Sequence, residues 1–286
     1  LFPNGSPGRK KAYAFGDQCA AKLHAMPEKP IKTSQRVFEI LEAFETEQRP
    51  MALKDFTRGF GYPPSSASAL LKSLVTLGYL DYDRFSRTYM PTMRMASLGT
   101  WVQRALFGQN EEVLRLMQRL SEAYGETVTL SAQSDLYVQY VYLIPSRLPI
   151  WYAVPIGTIR PITRSGSGWA MLGARTDEEI AELVRRVNFH EPDRARKTSL
   201  TELMQHVEKG RRDGYVFNKH TLEQGAGGIC MVLPERRFGR LFALAVSGPV
   251  QRLEEKEAEV VTTMRAGIAQ LENAKSTQAG ESDSTA

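Results

Sequence analysis

Between Ser34 and Leu98 three short stretches of apolar periodicity lead into a basic hairpin, and that order admits few folds. The first stretch places Val37, Ile40, Leu41 and Phe44 at i, i+3, i+4 and i+7, the stripe of an amphipathic helix. A second helical stretch runs from about Leu53 to Phe60 and stops at Gly61. Pro63-Pro64 then opens a third helix at the end where proline is tolerated, with Ser65 and Ser66 placed to cap it. Leu70, Leu71, Leu74 and Leu77 line one face, and Gly78 ends the helix. The opposite face carries Ser65, Ser68 and Lys72, polar groups that suit a groove. Tyr79–Tyr82 and Thr88–Met90 read as strands on either side of a turn that holds Arg84 and Arg87. Residues 33–92 are therefore expected to form a winged helix-turn-helix with its third helix in the major groove of double-stranded DNA. The expected contacts are Ser65, Ser66, Ser68, Lys72, Arg84 and Arg87. The helices alone would suit any small helical domain; the arginine-tipped hairpin tips the reading to DNA.

At 286 residues the chain has room for a second domain, and its net charge of +5 suits a nucleic-acid partner without requiring one. Cys19 and Cys230 are too far apart in sequence for a CxxC motif, so neither a disulfide framework nor a zinc knuckle is expected. With no run of about 18 uncharged apolar residues and no apolar signal region, a cytoplasmic location and no membrane partner are expected. Residues 1–32 read as a flexible leader rich in Gly, Pro, Lys and Ala. Met26 reads as a native start; the alternative is a basic arm that sets Arg9, Lys10 and Lys11 against phosphates.

Past the hairpin, Met95, Leu98, Val102 and Leu106 recur at helical spacing, so residues 93–108 are expected to form a linker helix. Residues 109–274 read as an α+β domain, a sheet flanked by helices. Its helices are expected from Asn110 or Glu111 to Tyr124, over Ser165–Leu172, Asp177–Val187 and Ser199–Arg212, and from Leu253 to about Leu271. Its strands are expected over Thr127–Ala132, Leu136–Ile144, Ile150–Ala153, Ile229–Leu233 and Leu241–Val246. Residues 275–286 are polar and are expected to be disordered.

In order and spacing these segments resemble the IclR-type bacterial transcriptional regulators. The resemblance rests on Ser34-Gln35-Arg36-Val37, Leu70-Leu71, Leu74 and Gly78-Tyr79-Leu80 in the reader. In the second domain it rests on Gly125-Glu126-Thr127-Val128, Arg160-Pro161-Ile162, Ser165-Gly166-Ser167-Gly168, Arg212-Asp213-Gly214-Tyr215 and Val246-Ser247-Gly248-Pro249. It implies a winged reader, a GAF-like effector-binding domain, and assembly as a homodimer or a dimer of dimers. By the same resemblance Gly166, Ser167 and Ser247 match effector-contacting positions, and Cys230 on the neighbouring strand joins them. The effector is expected to be a small organic acid, because the Ser-Gly loop presents amides at a helix start and Arg160 and Arg164 lie close by in sequence. Trp151, Tyr152, Trp169 and Met171 would suit an aromatic acid, or would simply be core. Four departures stand out: Ala69 where the family is commonly basic, Ser68 where a larger polar residue is frequent, and Trp169 and Arg164 beside the expected pocket.

Two other function classes stand against the ligand-responsive regulator. An enzyme would need a catalytic constellation, yet there is no GxSxG elbow, and His190, His206 and His220 lack metal-ligand spacing. No catalytic residue, metal or cofactor is therefore expected. An interaction or sensor protein with a degenerate reader is the alternative that Ala69 suggests.

Overall fold

The computed structural model describes residues 31–107, 112–150, 154–221, 223–234, 236 and 239–283. Residues 1–30 of the expected leader, with Met26, three of the four residues of the expected Ile150–Ala153 strand, and the last three residues lie outside them. Lys32, at the end of the expected leader, already opens the first helix. The described residues fall into two units, one up to 107 and one from 112 onward.

The first unit holds helices α1 (Lys32–Glu47), α2 (Leu53–Gly59) and α3 (Pro64–Thr76). Strands β2 (Leu80–Asp83) and β3 (Thr88–Pro91) form the hairpin, and β1 (Met51–Ala52) adds a third strand that its two residues hid from the sequence reading. Ile40, Phe44, Phe56, Leu71, Leu74 and Leu80 meet in one core. Burying a side chain of that size contributes about 1.5–3 kcal/mol, so the stripe read from the sequence is what closes this small domain. The α3 serines do not cap it: Pro63 is the N-cap position and no side chain bonds there. Gly78, at φ +76°, turns the chain out of α3 into the hairpin, a conformation in which a Cβ would be strained. Helix α4 (Met93–Phe107) follows and leaves Met93, Leu98, Trp101 and Val102 exposed.

The second unit is α+β. Its antiparallel sheet runs in the order β6-β5-β4-β9-β8-β7, built from β4 (Thr127–Ser134), β5 (Tyr137–Ile144), β6 (Ile159–Pro161), β7 (Val216–Lys219), β8 (Ala226–Val232) and β9 (Phe242–Pro249). Strands β6 and β7 are three and four residues long, too short to show an alternation, and the sequence reading passed over both. One face of the sheet carries α5 (Glu112–Tyr124) and α10 (Glu257–Asp283), whose Leu116, Met117, Leu120, Val260 and Met264 are buried. The other face packs α6 (Gly166–Leu172), α7 (Asp177–His190) and α8 (Leu200–Asp213) through Trp169, Met171, Leu172, Ile180 and Val207.

Two expectations are corrected here. The single closing helix is two, α9 (Val250–Glu255) and α10. The polar end is helical as far as Asp283, continuing α10 with no proline to interrupt it.

Candidate DNA interface and effector site

Helix α3 turns Ala67, Leu71 and Leu74 inward, which leaves Ser65, Ala69, Lys72 and Ser73 exposed along its outer face. Ser66 and Ser68 are only half-exposed. Arg36 donates from Nη1 to Ser66 Oγ at 3.2 Å and lies 5.0 Å from the Tyr62 ring centroid, so a cation stands at the start of α3. In the sequence Arg36 stands out only as part of Ser34-Gln35-Arg36-Val37.

The hairpin is closed by Asp83 opposite Thr88. The Phe85 amide donates to Asp83 Oδ1 at 2.8 Å and Ser86 Oγ donates to Oδ2 at 2.7 Å. The Ser86 bond, then the Phe85 bond, holds the Asp83 carboxyl below the usual carboxylate range. This charged acceptor orders the turn, and Arg87 completes it at φ 56°. Arg84 and Arg87 are exposed and, among the described residues, neither forms an ion pair. Phe85 stands between them, fully exposed.

In the second unit three of the four expected effector residues come together. Ser167 Oγ donates to Cys230 Sγ at 3.9 Å, and Cys230 Sγ donates to Asn218 Oδ1 at 3.7 Å. Gly228 is paired with Asn218 on one side and Ser247 on the other. A Cβ there would lie 3.1 Å from Asn218 Oδ1, 3.2 Å from Ser247 Oγ and 3.7 Å from Cys230 Sγ, so all three side chains share the α6 face. Gly166, the fourth, lies against Asn218, whose amide oxygen would collide with any Cβ at that position. Gly168 has a structural task, because a Cβ there would run into the Ile162 carbonyl oxygen. Ser165 caps α6 by accepting from the Gly168 amide at 3.1 Å.

The charges of this face are simple. Burial pushes the Cys230 thiol up to about 12 and the Tyr140 hydroxyl up to about 12, so both are neutral at pH 7. Arg160, paired across β6 and β5 with Val138, is close enough to influence Tyr140, and its Nε is buried with no partner among the described residues. Arg164 is spent elsewhere, 3.4 Å from Glu191 at the end of α7. Trp169 is core rather than a cradle: its Nε1 donates to the Thr163 carbonyl at 2.8 Å and its ring stacks on His206 at 4.1 Å. The companion aromatics Trp151 and Tyr152 lie outside the described residues. Among the described residues no group of three or more His, Cys, Asp or Glu is placed to hold a metal ion, and no helix is long and apolar enough to cross a membrane.

Residues 33–84 match the family model for the IclR helix-turn-helix domain, and residues 110–272 match that for the bacterial transcriptional regulator IclR C-terminal domain. The chain belongs to the IclR family. It is thus a ligand-responsive, DNA-binding transcriptional regulator. It is similar to the HTH-type transcriptional regulator KdgR of Escherichia coli K12, at 26% identity over 85% of this chain and 92% of that protein. The fold matches the crystal structure of Thermotoga maritima IclR, with a TM-score of 0.67 and 18% identity over 85% of this chain and 98% of that one. It also matches an IclR homologue from Microbacterium hydrocarbonoxydans complexed with 4-hydroxybenzoate, with a TM-score of 0.54 and 21% identity over 82% and 100% of the two chains.

Asn218 and Arg36 are not singled out as site residues by the sequence alone. Asn218 had no signal of its own, since its strand is too short to show one. Arg36 stands within Ser34-Gln35-Arg36-Val37, and Arg160 is the positive charge expected beside the acid.

Proposed function

We propose that the ligand of this regulator is a small organic acid, bound on the α6 face of the sheet by Gly166, Ser167, Cys230 and Ser247 together with Asn218 and Arg160. The observation that carries this reading is the convergence of Ser167, Cys230, Asn218 and Ser247 around Gly228. A neutral, hydrogen-bonding face with one half-buried guanidinium favours a ligand of negative charge, because buried ions need an opposite charge and bonded oxygens. The 4-hydroxybenzoate bound by the Microbacterium homologue is itself an organic acid.

On the DNA side Ser65, Ser66, Ser68 and Lys72 of α3 face the major groove, while Arg84 and Arg87 hold phosphates from the wing, with Arg36 behind them. Exposed α3 side chains include no arginine, so sequence preference leans on serines, Lys72 and the shape of the duplex. The regulator acts in the cytoplasm, where operators are, and we assign it no catalytic step.

The test is a thermal-shift screen of carboxylates, including pyruvate, gluconate and 4-hydroxybenzoate, on the full chain. A ligand at about 100 times its Kd stabilises the native state by about 2.7 kcal/mol. At least one acid is expected to raise the Tm and to change affinity for DNA selected from a random pool by the protein. Ser167→Val is expected to lose both responses and still bind that DNA. An acid that acts equally on both proteins would move the site elsewhere.

Helix α4 exposes Leu98, Trp101 and Val102 at i, i+3 and i+4, an apolar stripe that supports a homodimer or a dimer of dimers. Light scattering on the eluted protein is expected to give a mass of two or four chains, and the selected DNA is expected to be a near-palindrome. A monomer on a single half-site would overturn the assembly.

A further inference from the structure

We infer that the ligand is an open-chain hydroxylated acid, selected by a row of hydroxyls on β4: Thr127, Thr129 and Ser131. This rests on the acid-binding face proposed above and adds what lies beyond the carboxylate. The three residues occupy alternate positions of β4, opposite Ser247, Ala245 and Ala243 of β9 in an unbroken register. They therefore stand on the same face as Ser247, Cys230 and Asn218. Each is at most 1% exposed, and the side-chain oxygen of each is buried with no hydrogen-bond partner among the described residues.

Three such hydroxyls in one row are unusual, since buried polar groups are nearly always paired and one left unpaired costs about 1–3 kcal/mol. Their neighbours across β9 and β8 are small: Ala243, Ala245 and Gly228. Tyr140 stands opposite Ser131, and the unpartnered Arg160 Nε lies towards that end of the row. The face thus has a cation at one end, Ser167, Asn218 and Ser247 at the other, and hydroxyls between.

Same-face positions on a strand are about 6–7 Å apart. A ligand that satisfies two neighbouring hydroxyls must carry polar groups at about that separation, in addition to its carboxylate. Serine and threonine hydroxyls both donate and accept, and so do those of a linear polyhydroxy acid. An alkyl acid would leave the row unpaired. An aromatic acid has polar atoms only on its rim, and the Trp169 ring is already engaged, bonded to the Thr163 carbonyl and stacked on His206.

The test uses the full chain and three kinds of probe: gluconate with other aldonates of four to six carbons, hexanoate, and 4-hydroxybenzoate. An aldonate is expected to bind at least about 100-fold tighter than hexanoate, the discrimination expected when a site built for hydroxyls meets a ligand without them. Thr129→Val combined with Ser131→Ala is expected to weaken aldonate binding about 10- to 100-fold and to leave hexanoate unchanged or tighter. Without ligand, the near-isosteric Thr129→Val is expected to raise the Tm, because it removes an unpaired buried hydroxyl; a fall would show a structural role. Hexanoate or 4-hydroxybenzoate binding as tightly as every aldonate would overturn the hydroxyl row and leave the acid site standing. If Ser167→Val abolishes acid binding while the β4 variants change nothing, the same holds. No binding by any of the acids would overturn both.

Discussion

Replacing Arg84 and Arg87 together with alanine will weaken DNA binding at every sequence tested and flatten its salt dependence. Both guanidiniums stand exposed on a turn ordered by Asp83, and neither is committed to an ion pair among the described residues. Phosphate contacts displace condensed counterions, so each contact contributes about 0.9 to the slope of log K against log salt. Loss of two contacts per protomer should lower that slope by about 1.8 for each protomer bound. Affinity at about 0.15 M salt should fall at least tenfold, with no change in the preferred sequence, because phosphates carry no base information. Fluorescence anisotropy between about 0.05 and 0.2 M salt measures both quantities. An unchanged slope in the folded double variant would remove the wing from the interface.

The second large effect concerns stability. Glu126 is 1% exposed, and Arg252 donates to it from Nε at 2.6 Å and from Nη2 at 2.8 Å. The fit is close enough that a Cβ on Gly248 would collide with the carboxylate. The two bonds raise the Arg252 guanidinium above its usual range. Breaking a buried pair by removing one partner costs about 3–5 kcal/mol, because the other charge stays behind in low dielectric. Arg252→Ala abandons a carboxylate in the core, whereas Glu126→Ala abandons a guanidinium that is 28% exposed and still bonds the Ile150 carbonyl. Arg252→Ala should therefore cost the full amount and Glu126→Ala about 3 kcal/mol or less. For a domain of this size a kcal/mol corresponds to about 2–4 °C in Tm, so Arg252→Ala should melt about 6–20 °C below the wild type. If Glu126→Ala proved the more damaging, the charge argument would be wrong.

The winged reader was legible because its signals are local. The α1 stripe, the prolines before α3, Gly78 and the two arginines all lie within one contiguous stretch, and each acts over a few residues. The short strands were not legible. β1, β6 and β7 are two to four residues long, and what makes them strands is the neighbour that pairs with them: Tyr89 for Met51, Val138 for Arg160, Gly228 for Asn218. The serine positions were half legible. Helical spacing placed Ser65 and Lys72 outward, but only the tertiary structure set Arg36 on Ser66 and left Ser66 and Ser68 half-exposed.

By itself the sequence determined the two-part architecture, the family, the arginine-tipped wing and the segments that carry Ser167, Cys230 and Ser247. Periodicity, turn chemistry and motif order are properties of neighbours along the chain, and those are written in the order of residues. Tertiary structure alone decided that Asn218 and Gly228 complete that cluster, that Trp169 is core, and that Arg164 is held by Glu191. It also turned Thr127, Thr129 and Ser131 from ordinary strand residues into one unpaired row. Alternation says that they share a face; only the register of β4 on β9, across more than a hundred residues of chain, says which face and what stands opposite.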